Sequence, residues 1–284
     1  MSMLTKSPTL RVVLILFLSQ FYLHAQAACS RTIIAPVAPL GFSVIINGDN
    51  VTGIYPEIFR GFSSKETCQF QFPAVPRARL ELMFENGQAD VLFPAIRTPK
   101  RDELGIFVPM IHTRSTLISL QSARPTIRNQ QELLEQKNLK VVVVRGYDYG
   151  EAYQTIVAEL SRQGRLILES DPVSVARVLK ANVADVAIMA PYIFVGAVQG
   201  DARVEDLSDK LRFEAIPELP WSDSGIYLSK KSLTQDDRNT LQELFERAAR
   251  SGMVWKGFLR YYKPEVLKEG NRQREFPKQG VVEK

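Results

Sequence analysis

The sequence predicts an α/β chain of mostly parallel strands flanked by helices, arranged as two similar lobes. Strand-like and helix-like runs alternate from "TIIAP" at Thr32 to "VWKGFLRYY", which ends at Tyr262, the pattern of an α/β architecture. In addition, "ADVLFPA" at Ala89 is echoed by "ADVAIMA" at Ala184, each following an amphipathic helix and each running into a proline-marked turn. Open α/β sheets bind ligands outside the carboxyl ends of their strands. Two lobes that present such ends to one another form a cleft.

In chain order, the first segment is a targeting signal. Lys6 and Arg11 form a positive n-region, "VVLILFLSQFYL" is a short apolar run, and Ala25 and Ala27 offer the small residues of a cleavage site. The run is short for a membrane span, which needs about 20 apolar residues. A retained anchor and lipidation at Cys29 are the alternatives, the latter with Gln26 where an aliphatic residue is wanted. The reading is an exported protein cleaved near Ala27, with a signal peptide at 1–27.

Removing Lys6 and Arg11 lowers the formal charge from +5 to +3 and leaves His112 as the single histidine. Basic residues near the C-terminus alternate with Glu269, Glu275 and Glu283. No basic stripe with interleaved aromatics appears, so nucleic acid is not an expected partner. Cys29 and Cys68 each precede a β-like run, "RTIIAP" and "QFQF". If those strands are parallel neighbours, their starts lie side by side and a disulfide is geometrically reasonable; free thiols are the alternative.

A helix begins near Pro56 in "PEIFRGF", and "ARLELMFENG" ends at Gly87, a natural C-terminal stop. "ADVLFPA" then breaks into "IRTPKR". Thr98 suits an N-cap and Pro99 the first helical position, which puts Lys100 and Arg101 at the positive end of a helix dipole, where a cation is disfavoured. Either Asp102 and Glu103 neutralise them on a solvated surface, or an anion sits where Arg101 and the free N–H groups converge. "STLISLQ" and "KVVVV" are further strands. "YGEAYQTIVAELSRQG" is a helix closed by Gly164, and Asp171 and Pro172 start "VSVARVLK". The closing "KEGNRQREFPKQGVVEK" lacks an apolar period and reads as a loose tail.

The chain from about residue 30 to residue 262 resembles the bacterial extracellular solute-binding proteins of family 3, the amino-acid-type periplasmic components of ABC importers. The resemblance rests on "GIYPEI", "ENGQADVLFPAIRTPKR", "LKVVVVRGYDYG", "ANVADVAIMAPY" and "LQELFERAARSGMVWKGFLRYY", in the family's order. It implies a two-lobed type 2 periplasmic binding protein fold with two crossover strands at the hinge. The implied lobes are 28–119 with 221–264, and 120–220, followed by the tail at 265–284. In the family the arginine of the Thr-Pro-x-Arg turn holds the ligand carboxylate, and Arg101 takes that place. By the same resemblance Thr98 and the stretch Phe93, Pro94, Ala95 and Ile96 line the pocket, and Arg97 is a second candidate anion contact. Tyr147, Asp148 and Tyr149 enter from the second lobe, with Asp148 capping the helix beyond it. Tyr192 lies past the late strand, and Arg79 sits where relatives have a cleft-bordering arginine. One departure concerns the ligand's amino group: Ala190 stands where amino-acid binders usually carry an acidic residue. Either Glu57, Asp148 or Glu218 substitutes, or the ligand lacks an ammonium.

The resemblance and the residue inventory together imply a periplasmic binder, expected to be monomeric and without cofactor or metal. It captures a small carboxylate-bearing solute for an inner-membrane ABC permease. One histidine excludes His-rich zinc sites, and neither a nucleophile elbow nor a phosphate-cradling glycine loop is present. Two alternatives remain open: a cleft dehydratase using Glu57 and Asp148 as an acid–base pair, and a sensory protein that presents its ligand to a receptor.

Overall fold

The computed structural model describes residues 28–62, 67–121 and 124–276; the signal peptide read at 1–27 lies outside them. The elements are β1 (Ile33–Ile34), β2 (Ile45–Asn47), β3 (Asn50–Thr52), α1 (Ile54–Phe62), β4 (Phe70–Gln71), α2 (Arg77–Glu85), β5 (Val91–Ile96), α3 (Pro99–Leu104) and β6 (Gly105–Thr113). They continue with β7 (Thr116–Leu120), α4 (Gln130–Glu135), β8 (Val141–Val144), α5 (Glu151–Arg162), β9 (Leu166–Glu169), α6 (Pro172–Lys180), β10 (Val186–Met189), α7 (Pro191–Gln199) and β11 (Leu211–Glu214). The last are β12 (Ser222–Ser229), α8 (Gln235–Arg250), α9 (Met253–Tyr261), α10 (Pro264–Gly270) and β13 (Asn271–Gln273).

Two principal sheets define the two lobes. The first has the order β13-β6-β12-β5, and the second β11-β7-β10-β8-β9. The pairing is mixed: β8 is parallel to β9 and β10, while β7 runs antiparallel to β10 and β11, and β12 antiparallel to β5 and β6. Mostly parallel pairing was the expectation; β6–β7 and β11–β12 instead pass from one sheet to the other, so each enters its neighbour's sheet against the local strand direction. The passages are Arg114–Ser115 and residues 215–221. β7, placed by the sequence reading in the first lobe, pairs in the second lobe's sheet.

β1 and β4 pair in parallel with Ile33 opposite Phe70, and Cys29 and Cys68 at their starts are disulfide-bonded, with Cα atoms 4.9 Å apart. This little sheet joins β5 through Asp90, whose N–H donates to the Ile34 carbonyl and whose carboxylate accepts from the Ile34 N–H. Beneath it Phe59, Phe93 and Phe245 pack face to face or tilted, with centroids 4.4 Å apart for Phe59–Phe93 and 4.7 Å for Phe59–Phe245. The second lobe's core is built from Val141, Val143, Ile156, Leu160, Val186 and Ile188. Such β-branched runs suit strands covered on both faces.

The C-terminal run departs from the expectation of a loose tail beginning at 265. Pro264 starts α10, and β13 then pairs with β6, with Asn271 opposite Thr113 and Arg272 opposite His112. The Gly270 carbonyl accepts from the Arg114 N–H and from the Thr113 hydroxyl. Trp221, on the other passage, meets the guanidinium groups of both Arg272 (3.9 Å) and Arg114 (4.8 Å). The segment is thus fastened to both connections between the lobes. Helix periodicity did not reveal it because its order comes from edge pairing and cation–π contacts, which need no apolar repeat.

Candidate functional site

The lobes touch directly on either side of a cavity. A Cβ added to Gly196 of α7 would lie 2.7 Å from the Phe42 nitrogen and 2.8 Å from the Gly41 Cα; one added to Gly146 would lie 2.8 Å from the Ala78 Cα. Gly146 has a positive φ of 85°, which glycine adopts without steric cost. Between these contacts is a cavity of about 30 Å³ lined from the first lobe by Leu40, Arg77, Pro94, Ala95, Ile96, Thr113 and Ser224, and from the second by Tyr147, Asp148, Tyr149, Ala190, Tyr192 and Ile193. That is space for a water or two, so a solute enters only as the lobes part.

Of the residues singled out in the sequence, Pro94, Ala95, Ile96, Tyr147, Asp148, Tyr149 and Tyr192 come together here. Phe93 stays behind the cavity wall, in the aromatic cluster with Phe59. Thr98 caps α3 as its residue type demands, its hydroxyl accepting from the Arg101 N–H at 3.3 Å, with Pro99 at the first helical position. Arg97 lies on the surface, its Nε donating to Asp102 at 2.9 Å. Arg79 is on α2 and lines no part of the cavity. Asp148 does not cap a helix: α5 starts at Glu151, and Asp148 Oδ1 instead accepts from the Gly150 N–H at 2.9 Å.

Arg101 has an intramolecular partner at every guanidinium nitrogen. Nη1 donates to the Ile96 carbonyl at 2.8 Å, Nη2 to Glu81 Oε1 at 2.9 Å and Nε to Glu81 Oε2 at 3.3 Å. It lines, with Thr98, Glu81 and Lys100, a neighbouring hollow of about 170 Å³ that shares Tyr147 and Asp148 with the cavity. The other cation at the helix start, Lys100, pairs with Glu85 rather than with Asp102 or Glu103. The arginine bordering the cavity is Arg77. It donates through Nη2 to Glu81 and through Nη1 to the Pro94 carbonyl at 3.3 Å, while its Nε is buried without a partner. Burial works against the Glu81 charge, yet the two guanidinium groups outweigh it and hold the carboxyl below its ordinary range.

Sequence reasoning passed over Arg77, although a signal was present. The buried residues of α2 are Arg77, Leu80 and Phe84, spaced i, i+3 and i+7 on one helix face. Arg79 falls off that face.

The phenols supply the other polar groups. Tyr147 and Tyr192 are pushed far above the ordinary phenol range by burial, and Tyr149 likewise. They are therefore neutral hydrogen-bond donors at physiological pH. The Tyr147 hydroxyl is buried and unpartnered; the Tyr149 hydroxyl accepts from the Ala190 N–H at 3.4 Å. The first turn of α7, which no side chain caps, opens on the same space through Ala190, Tyr192 and Ile193. Donors dominate this lining, and the arrangement is equipped to hold an anion. No histidine, cysteine or lysine lines it, and Asp148 is its one carboxylate. Glu57 lies in a different groove, bonded to Arg260 and Tyr261, so Glu57 and Asp148 do not form a pair.

The fold is that of the two-lobed periplasmic binding proteins. The chain is similar in structure to an ancestral arginine-binding protein bound to arginine, with a TM-score of 0.64, 13% identity, and coverage of 84% of this chain and 100% of that one. The P235GK mutant of ArgBP from T. maritima gives a TM-score of 0.64 at 12% identity, covering 81% of this chain and 94% of that one. A histidine kinase sensor domain with similarity to periplasmic binding proteins gives 0.63 at 16% identity, with 81% and 96% covered. The chain matches no family profile and no curated protein. Among the described residues no helix is long and apolar enough to cross a membrane.

Proposed function

We propose that this protein binds a small carboxylate-bearing solute, an amino acid or related organic acid, between its lobes and delivers it to an ABC-type importer. The observation that carries the reading is a pair of residues that line the cavity from opposite lobes, Arg77 and Tyr147, each with a buried polar atom, Nε and the hydroxyl, that has no hydrogen-bond partner. A buried donor left without a partner costs roughly 1–3 kcal/mol, and a ligand carboxylate supplies acceptors for groups of this kind. Asp148, on the opposite wall, supplies an acceptor for an ammonium in place of the residue that Ala190 replaces. The solved structures with bound arginine support solute capture on this fold, and the exported, periplasmic location follows from the signal read at 1–27. Binding rather than catalysis is suggested by the likeness to solved binding proteins.

A second reading, presentation of the ligand to a membrane receptor, is favoured by the likeness to a sensor domain; interaction with a permease, as against a receptor, separates the two. The first test is a thermal-shift screen of the signal-free protein against amino acids and small mono- and dicarboxylates. A ligand at 100 times its Kd stabilises by about 2.7 kcal/mol. No shift with any small carboxylate would count against the reading.

A further inference from the structure

Glu81 is the one anion in a buried chain of three charges, and its position limits what the site can hold. The side chains of Arg77, Glu81 and Arg101 are 8%, 16% and 6% exposed. Glu81 Oε1 accepts from both arginines and Oε2 from Arg101 alone. The Ile96 carbonyl takes the remaining Arg101 donor group. Glu81 is therefore shared between the two arginines; every Arg101 guanidinium nitrogen has a partner, whereas the Nε of Arg77, the arginine that lines the cavity, has none. Counted together, two cations and one anion leave a single positive charge beside the ligand.

We propose that Glu81 is a specificity-determining residue: by offsetting one of the two arginine charges it sets the arginine chain at +1 and selects ligands with one carboxylate at this end over those with two. The proposal rests on the reading of the cavity as a carboxylate site. A second anionic group would be buried without a counter-charge, which is disfavoured strongly in a dry site. A like-charge arrangement of this kind excludes competitors as well as attracting the correct ligand. Arg101 acts here through Glu81 without touching the ligand.

The consequences for charge variants are opposite to those of direct contact. In Arg101→Gln, Glu81 cancels Arg77 and a monocarboxylate loses its counter-charge, so binding falls by at least about tenfold. In the double variant Glu81→Gln/Arg101→Gln the +1 on Arg77 returns, and binding recovers to within about threefold of the parent. The double variant keeps the net charge of the parent, with an amide in place of the carboxylate that Arg77 meets, whereas Glu81→Gln alone buries two arginines without a counter-charge; circular dichroism and melting check the fold of both. Calorimetry uses propionate, L-glutamine and L-arginine as single-carboxylate probes, and malonate and methylmalonate, whose two carboxylates share one end, as two-carboxylate probes. The expected result is parent binding confined to the single-carboxylate probes, loss in Arg101→Gln, and recovery in the double variant. A double variant that binds no better than Arg101→Gln would mean that Arg101 touches the ligand itself, and would overturn the proposal while leaving the carboxylate site intact. Arg101→Gln at parent affinity would overturn it equally, as would parent binding of the two-carboxylate probes at comparable strength. A parent that responds to no small carboxylate, these five probes and the thermal screen included, would remove the carboxylate reading and this proposal together.

Discussion

Asp90 ties three parts of the first lobe together at one carboxylate. Its oxygens accept from both Nη atoms of Arg31, at 2.6 and 2.7 Å, and from the Ile34 N–H at 2.7 Å. Burial raises its pKa, but Arg31, Ser232 and the Ile34 N–H outweigh that and hold the carboxyl below its ordinary value. A carboxyl lowered on folding contributes stability that is fully present above the unfolded pKa of about 3.9 and is lost as pH falls through the folded value. Asp90→Asn should therefore be less stable than the parent at pH 7 and should lose less of what remains between pH 5 and pH 3. Urea unfolding across that range measures both, and parallel curves for the two proteins would contradict the assignment. Nearby, the Cys29–Cys68 bond closes a loop with a sequence separation of 39, worth about 4 kcal/mol in the chain-entropy model. At this scale much was legible in the sequence. Thr98 and Pro99, or Asp171 and Pro172, announce helix starts through local chemistry alone, and the structure has both. The partner of Arg101 was not legible, because Glu81 meets it only through the way α2 and α3 pack, a contact 20 residues apart in the chain.

The order of strands and helices tracks the alternation of the sequence closely, since each apolar run and each capped amphipathic run carries its own signal. Pairing direction does not, because β6 into β7 and β11 into β12 change sheets in short passages with no special pattern. Nor does the close approach of α7 to the first lobe. Gly196 sits inside that helix, where alanine would ordinarily be preferred by about 1 kcal/mol. Its Cβ position is also 2.6 Å from the Tyr262 hydroxyl, which accepts from the Phe42 N–H at 2.8 Å. A side chain here obstructs the closed arrangement and leaves an opened one untouched. Gly196→Ala should therefore keep or raise the melting temperature without ligand and weaken binding by roughly tenfold or more, about 1.4 kcal/mol per decade. Unchanged affinity in a folded variant would show that the lobes need not approach this closely.

For the whole molecule, the two sheets are joined by two passages with the C-terminal clasp over them, and the proposed binding acts on the separation of the lobes. A binding event biases that separation only through contacts that differ between its states, and the cavity residues come from both lobes. Arg77 is the residue on which this mechanism turns. Replacing it with glutamine removes the cation proposed to meet the ligand, while Glu81 remains paired with Arg101 at 2.9 Å, so the fold should persist. Calorimetric titration of Arg77→Gln against the parent, with the carboxylate that stabilises the parent in the thermal screen, is the most direct measurement. The expected result is a loss of about 2–5 kcal/mol in binding with native circular dichroism. Binding within twofold of the parent would contradict it.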